Sequence, residues 1–411
     1  MAGGQTRRMN HLIARCAVVF FATVSLHAAT VPTKLAIAAG DFDRRTTVVT
    51  LQWPEAKEAT LQLVGAKNET AVLQVEPSGR ATFIERELAK GASKTYQVRP
   101  LAPEKVSKVT LTQAASNVRA AYANRTILQY QTTPSAVPEG VSAHYGHGAY
   151  LHPVFSPTGK LVTADYPPDH RHQRGIFFGW TKTEFEGRHP DYWNMGKGED
   201  GKFTGEVRFD SVERTWSGAV HGGLVSHHRW LDHTSGAEKD VLRETWELTV
   251  FRPTGGAQAL HVFDLTSTQN CAGDAPLKLP MYHYGGLGVR GSAVWDPVDK
   301  VSMLTSEGHD RKAGDAKKAK WVWLGGEVDG GPTGIAVLIH PDNFRFPQPL
   351  RLNPKNPQLC VAPSQDGDWE IAPGKPYVSR YRFAIFDGKP DAAELERLWN
   401  DYAKPPAVTV K

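Results

Sequence analysis

Apolar and β-branched residues alternate with polar ones along most of this chain, in short runs. Alternation is the mark of half-buried strands. "TTVVTLQW", "ATLQLVG", "TAVLQVE", "ATFIERE" and "KTYQVRPL" fall within the first hundred residues. "EPSGR" sits between two of them, and its Pro and Gly suit a turn. Farther on, "TILQYQ", "AYLHPVF", "GIFFGWTKTEF", "GEVRFDSVERTW", "GGLVSHHRWL", "VLRETWELTVF", "QALHVFDLTS", "TGIAVLIH" and "YVSRYRFAIF" continue the pattern with turn residues between them. The spacing predicts a mainly β fold: a large antiparallel β-sandwich preceded by a small β-sandwich domain. "QAASNVRAAYANRT" (113–126) reads as a connector with a helical turn. One segment has helical periodicity, "DAAELERLWNDYA" (391–403), with Asp391 as N-cap, Glu394 three residues on, and Leu395, Leu398, Trp399 and Tyr402 on one face.

The first 29 residues break the pattern. Arg7, Arg8 and Arg15 surround the start of an apolar run that ends in "HAAT", and no acid occurs before Ala29. This predicts a signal peptide over 1–29 and a periplasmic or secreted protein. The expected domains are then 30–118, small and β, and 119–404, the large sandwich with its closing helix. Removing the leader's three arginines lowers the formal charge from +5 to about +2. That balance excludes a nucleic-acid partner, and "DRKAGDAKKAKW" reads as a solvated loop. No later run reaches spanning length, so no membrane span is expected. Cys271 and Cys360 remain after the leader; they could pair, or stay as two free thiols.

The chemistry is concentrated in loops. "DYPPDHRHQRGIFFGW" (165–180) delivers Asp169, His170, Arg171, His172 and Arg174 immediately before an aromatic strand. In an extended segment His170 and His172 share a face and could reach one substrate or one divalent metal ion, a third ligand coming from elsewhere. "LPMYHYGGLGVRGS" (279–292) places His283 and Arg290 about a Gly-rich turn. The glycines could admit a ligand to the backbone, and Arg290 could clamp a carboxylate or sugar hydroxyls. In "LRETWELTVF", Glu244 falls in an apolar row, where burial would raise its pKa and suit it to acid/base work. "GIAVLIHPDNFRFP" ends a strand with His340, followed by Asn343. Trp193 and Asn194 in "DYWNMGKG" offer the flat face and hydrogen-bonding group of a sugar site. His144, His147 and His152 are lesser candidates, and His227 and His228 point to opposite faces of one strand. The chain has no G-x-S-x-G elbow, H-E-x-x-H pair or phosphate-binding loop.

The ordered set "YLHPVFSPTGKLVTADYPPDHRHQRGIFFGW", "DYWNMGKG", "HYGGLGVR" and "HPDNFRFPQPLR" resembles the PmoA-like family of secreted bacterial proteins, over roughly residues 125–403. The family pattern has Asp-His-x-His-His, and Gln173 stands here at the last position. The resemblance implies a β-sandwich and a loose association with carbohydrate catabolism, and it implies that His170, His172, His283, Arg290, His340 and Asn343 converge. The family label refers to a membrane monooxygenase subunit with several apolar spans; this chain has none after its leader, so the label does not carry methane oxidation with it. The expectation is a secreted carbohydrate-active enzyme of lyase, hydrolase or isomerase type. His170, His172, His283 and Glu244 would be catalytic, and Asp169, Trp193, Arg290, His340 and Asn343 would bind substrate. The alternatives are a non-catalytic carbohydrate-binding or surface-assembly protein and, more weakly, a metal-dependent oxygenase. Oligomeric state and substrate are open at this stage.

Overall fold

Side-chain alternation along the strands gives each large sheet an apolar face toward its core. The computed structural model describes residues 1–4, 34–66, 68–102, 106–195, 203–255 and 259–411. Most of the expected signal peptide therefore lies outside the described residues. Among those described, the strands form sheets of seven, nine, eight and two strands, and the large sheets pair antiparallel.

The seven-stranded sheet is built from the first six strands, Lys34–Ala38 to Ser93–Pro100, and from the last, Ala407–Val410. Leu35, Val49, Leu63, Phe83 and Tyr96 from strands across this sheet share one core, so the sheet folds over itself. The chain's end returns to its beginning, with Leu35 opposite Val410.

The nine- and eight-stranded sheets face each other as a sandwich. Leu151, Phe178 and Leu287 from the first share a core with Trp246, Leu265 and Phe383 from the second. Each such side chain contributes about 1.5–3 kcal/mol by leaving water. Strand Val109–Gln113, expected in the small N-terminal domain, pairs instead into the nine-stranded sheet. Residues 32–411 form a single compact unit.

The expected connector 113–126 is a hairpin, strands Asn117–Tyr122 and Arg125–Gln131. Ala123 and Asn124 both take positive φ, +47° and +64°, as a two-residue hairpin turn of matching twist requires. The expected helical turn is a preference that its alanines share. Burial of Val118, Ala120, Leu128 and Tyr130 in the sandwich core outweighs that local preference.

The predicted helix spans Ala392–Ala403. Asp391 accepts from the backbone N–H groups of Ala393 and Glu394 at 2.8 and 3.3 Å, a cap worth about 1 kcal/mol. Glu394 turns to Arg397 and leaves the capping box unclosed. Leu395, Leu398 and Trp399 pack on Trp321, Leu338 and Ala384 of the eight-stranded sheet and on Val48 of the seven-stranded one. The basic stretch at 310–321 contains a short helix, Arg311–Gly314, capped by Asp310. No helix among the described residues is long and apolar enough to cross a membrane. Cys271 and Cys360 are free thiols, and burial pushes the Cys360 thiol up to about 12.

Candidate functional site

The outer face of the nine-stranded sheet carries the site, and strand alternation builds it. In strands Ile176–Gly179, Gly286–Arg290, Gln358–Val361 and Gln348–Leu352, the residues Ile176, Phe178, Leu287, Val289, Leu359, Val361, Leu350 and Leu352 point into the sandwich. Their neighbours must point the other way. The register then aligns Phe177, Gly288, Cys360 and Arg351 in one row across four strands. Arg290 and Gln358 face each other two residues along.

Gly288 is the low point of that row. A Cβ there would lie 2.8 Å from the rings of Phe177 and Trp193. The glycine thus lets two aromatic rings settle on the sheet, where the sequence suggested an approaching ligand. Trp193 is buried, with its ring 4.8 Å from Phe177 and 5.6 Å from Tyr284.

Above this floor lies a cavity of about 170 Å³. Its lining includes His170, His172, Trp193, Asn194 and His283 from the expected candidates, joined by Gln173, Tyr284, Arg351, Asn353 and Gln358. The two imidazoles arrive by a different local geometry from the one expected. Residues 167–173 are turns: His170 N–H donates to Pro167 O and Gln173 N–H to His170 O. His170 and His172 still meet edge to face, with ring centres 5.5 Å apart.

Asp169 orients His170. Its Oδ2 lies 2.9 Å from His170 Nδ1. Burial pushes the Asp169 carboxyl up, but bonds from Asn356 and His170 and the charge of Arg290 hold it at about 2. An ionised carboxylate can only accept, so Nδ1 carries the proton. Asn356 Nδ2 donates to the same Oδ2 at 2.7 Å, which assigns its 3.2 Å approach to His170 Nδ1 as a close contact of two donors. Nε2 is left as the basic nitrogen of a ring that lines the cavity.

Arg290 is fully buried and serves as an anchor beneath the loop. Its guanidinium donates to Asp169 Oδ1 at 3.0 Å, to Gln173 Oε1 at 2.8 Å, and to Asp296. It is committed to the protein's own carboxylates and does not line the cavity, contrary to the expected clamp on substrate. Gln173 is one of its partners.

His283 lies between Tyr282 and Tyr284, with ring centres 4.5 and 4.7 Å away. Burial and the charge of Arg351 hold its imidazole below the usual range, against the pull of Asp315. Tyr284 Oη exchanges hydrogen bonds with the Asn194 amide, which Asp191 fixes at 2.7 Å. Burial raises the Tyr284 hydroxyl pKa, so it stays protonated. Arg351 is held by Asp315 at 2.5 Å.

Three expected site residues stand elsewhere. Glu244 lies between the two sheets of the sandwich, while the cavity is on the outer face of one of them. Its carboxylate accepts from His228, Trp230, Trp246, Ser267 and Gln269 at 2.5–3.1 Å. Burial favours its neutral form, but the His228 hydrogen bond and charge, with Ser267 and Trp230, bring its pKa below the ordinary value. The expected rise is overturned by those donors. Asn343 ties its loop to the neighbouring strand, exchanging bonds with the backbone of Arg380 at 2.9 and 2.8 Å. His340 packs against Tyr402, and its Nδ1 accepts from the Asp342 backbone.

The lesser histidines are structural. His144 bonds Ser142, His152 bonds Thr163, and His147 is buried against Gly148 O. His227 faces Glu213 on the outside and His228 faces Glu244 inside, on opposite faces as expected. Among the described residues no three His, Cys, Asp or Glu side chains form a metal-binding group; His170 and His172 are a pair, and the Nδ1 of His170 is committed to Asp169.

Sequence reasoning missed Arg351, Gln358, Asn353 and Asn356. Arg351 is nevertheless the last residue of "HPDNFRFPQPLR", so that motif does reach the cavity, by its end and not through His340 or Asn343. No curated protein matches the chain. Residues 117–400 match a family model described only as a family of unknown function, DUF6807, and this span contains the eight-stranded sheet, the nine-stranded sheet except its edge strand Val109–Gln113, and the whole cavity. Because the match covers more than half of its length, the chain belongs to the DUF6807 family.

Proposed function

We propose that this is a periplasmic or secreted enzyme acting on a carbohydrate by proton transfer, with His170 as the base. The observation that carries the reading is the Asp169–His170 pair: a carboxylate held ionised fixes one ring nitrogen as donor and leaves the other to accept a proton beside a cavity. The lining supports a sugar. Trp193 and Tyr284 offer flat apolar surface, and Asn194, Asn353 and Gln358 offer amides. The four sequence motifs on which the resemblance to PmoA-like proteins rests each send a residue to this cavity, namely His170 and His172, Trp193 and Asn194, His283 and Tyr284, and Arg351. At about 170 Å³, the space is smaller than the roughly 300–1,000 Å³ of sites for drug-sized ligands, and it suits one sugar ring.

The test is turnover on a panel of neutral and acidic glycosides. The His170→Gln variant should lose about 10²- to 10⁴-fold in rate, the usual contribution of a positioned base. Asp169→Asn should lose rate with little change in KM, because it removes the orientation of the base and leaves the cavity lining in place. Product formation at an unchanged rate in both variants, or none by the native chain on any glycoside, rejects the assignment.

A further inference from the structure

We propose that the cavity takes an acidic sugar, whose carboxylate is held by Arg351 and Gln358; this rests on the carbohydrate reading above. Among the described residues lining the cavity there is no Asp or Glu. Asp169, the partner of His170, already accepts from Arg290, Asn356 and His170. The lining contains one guanidinium, that of Arg351. Asp315 takes its Nη1 and orients it, but Asp315 is not part of the lining. A guanidinium has five N–H donors in a fork that matches a carboxylate, so a single such bond leaves it able to bind a second anion. Gln358 adds an independent observation. It is only 3% exposed, it lines the cavity, and its Nε2 makes no hydrogen bond to an oxygen or nitrogen among the described residues, approaching only the weakly accepting Cys360 thiol. A buried donor without a partner is unfavourable until a ligand supplies an acceptor. A neutral sugar could occupy the space, but it would leave the N–H donors of Arg351 that Asp315 does not take without a charged acceptor.

The same placement defines a reaction. With its carboxylate on Arg351, the substrate can carry developing negative charge when the adjacent C–H is deprotonated. His170 Nε2 takes that proton. The C–H electron pair forms a C=C bond, and the C–O bond one carbon farther breaks with its electrons leaving on oxygen. The Tyr284 hydroxyl protonates the departing oxygen and regains its proton from solvent, to which His170 returns the one it took. The products are an unsaturated acidic sugar and an alcohol, and no oxidant or reductant is consumed.

Calorimetric titration of the purified chain with the methyl β-glycosides of glucuronic and galacturonic acid, each against its neutral counterpart, tests the site. At least one acid should bind about tenfold or more tightly than its neutral partner, the scale of one charge-assisted contact. Arg351→Gln should abolish the preference, weakening the acid about tenfold more than its neutral partner. Gln358→Met should reduce it, and serves if the arginine variant does not fold. Equal affinities, no saturable binding of either acid, or a preference that survives both substitutions overturns the proposal. Turnover, measured on a uronic acid that carries a 4-O-linked sugar as the departing alcohol, separates it from the reading it rests on. An Arg351-dependent preference without a His170-dependent unsaturated product upholds the acidic-sugar site and overturns the elimination step. His170-dependent turnover of neutral glycosides alone overturns the acidic-sugar site while the base assignment stands.

Discussion

Glu244 and Asp169 are both ionised by hydrogen bonds, yet their surroundings give them different work. Glu244 has neither exposure nor a neighbouring cavity, and all five of its donors are protein side chains. Asp169 lies beside open space and passes its constraint to an imidazole that faces it. The alternation in "LRETWELTVF" was enough to place Glu244 in the apolar row. It could not show that His228 and Ser267 from neighbouring strands supply donors, because that depends on register. Glu244→Gln replaces an acceptor by an NH₂ group among donors, and should destabilise the chain by about 3–5 kcal/mol. Urea unfolding measures this. Sugar affinity of the folded variant should match that of the native chain; a stability change under about 1 kcal/mol would mean that the buried network is not holding the sheets together.

Strands and hairpins were legible wherever alternation was strong, and the capped C-terminal helix was legible from Asp391 and its apolar face. The hairpin at 117–131 was hidden by alanines, since its strand character comes from burial against the second sheet. The cavity floor was hidden for a related reason. On a sandwich strand the outward positions look like solvent positions, so nothing marks Arg351 and Gln358 until pairing aligns them with Gly288 and Arg290. The histidine loop was legible in composition but not in shape. It is closed at its base by Gly175, whose N–H donates to Ala164 O and whose carbonyl accepts from Arg290 N–H. Gly175 has φ +39°, and a Cβ there would fall 2.0 Å from Leu151 O, a backbone atom that cannot swing aside. Gly175→Ala should therefore cost about 2–4 kcal/mol through clash and strain. It should also shift the loop that carries Asp169 and His170, lowering turnover in whatever fraction remains folded. Thermal unfolding and rate measured on the same preparation check both effects; an alanine variant equal to the native chain in both would show that the loop is not closed in this way.

The seven-stranded sheet and the sandwich are joined by buried polar contacts as well as apolar ones. Arg44 reaches Asp401 of the closing helix at 3.1 Å, with both side chains buried. On the other side, Gln74 accepts from the N–H groups of Val220 and His221 and donates to His221 O, acting as an extra strand residue. Glu76 lies beside it, with Oε1 3.0 Å from Nε2 of the fully buried His221. Burial pushes the Glu76 carboxyl up, but His221, Arg80 and Arg214 together bring it below the ordinary value of 4.5. A carboxyl with a depressed pKa in the folded state stabilises the fold fully above its unfolded value, and that contribution is lost as pH falls through the folded one. The join should therefore hold from neutrality down to about pH 4.5 and weaken below it. Hydrogen exchange in Arg80–Leu88 and His221–Asp232, compared at pH 6 and in acid after correction for intrinsic rates, should show protection lost along this seam before the sandwich core opens. Glu76→Gln removes the titrating group, so it should lower protection at pH 6 and flatten the acid dependence. A native chain and a Gln variant that lose protection in parallel would place the acid sensitivity elsewhere, with the Arg44–Asp401 contact next in line.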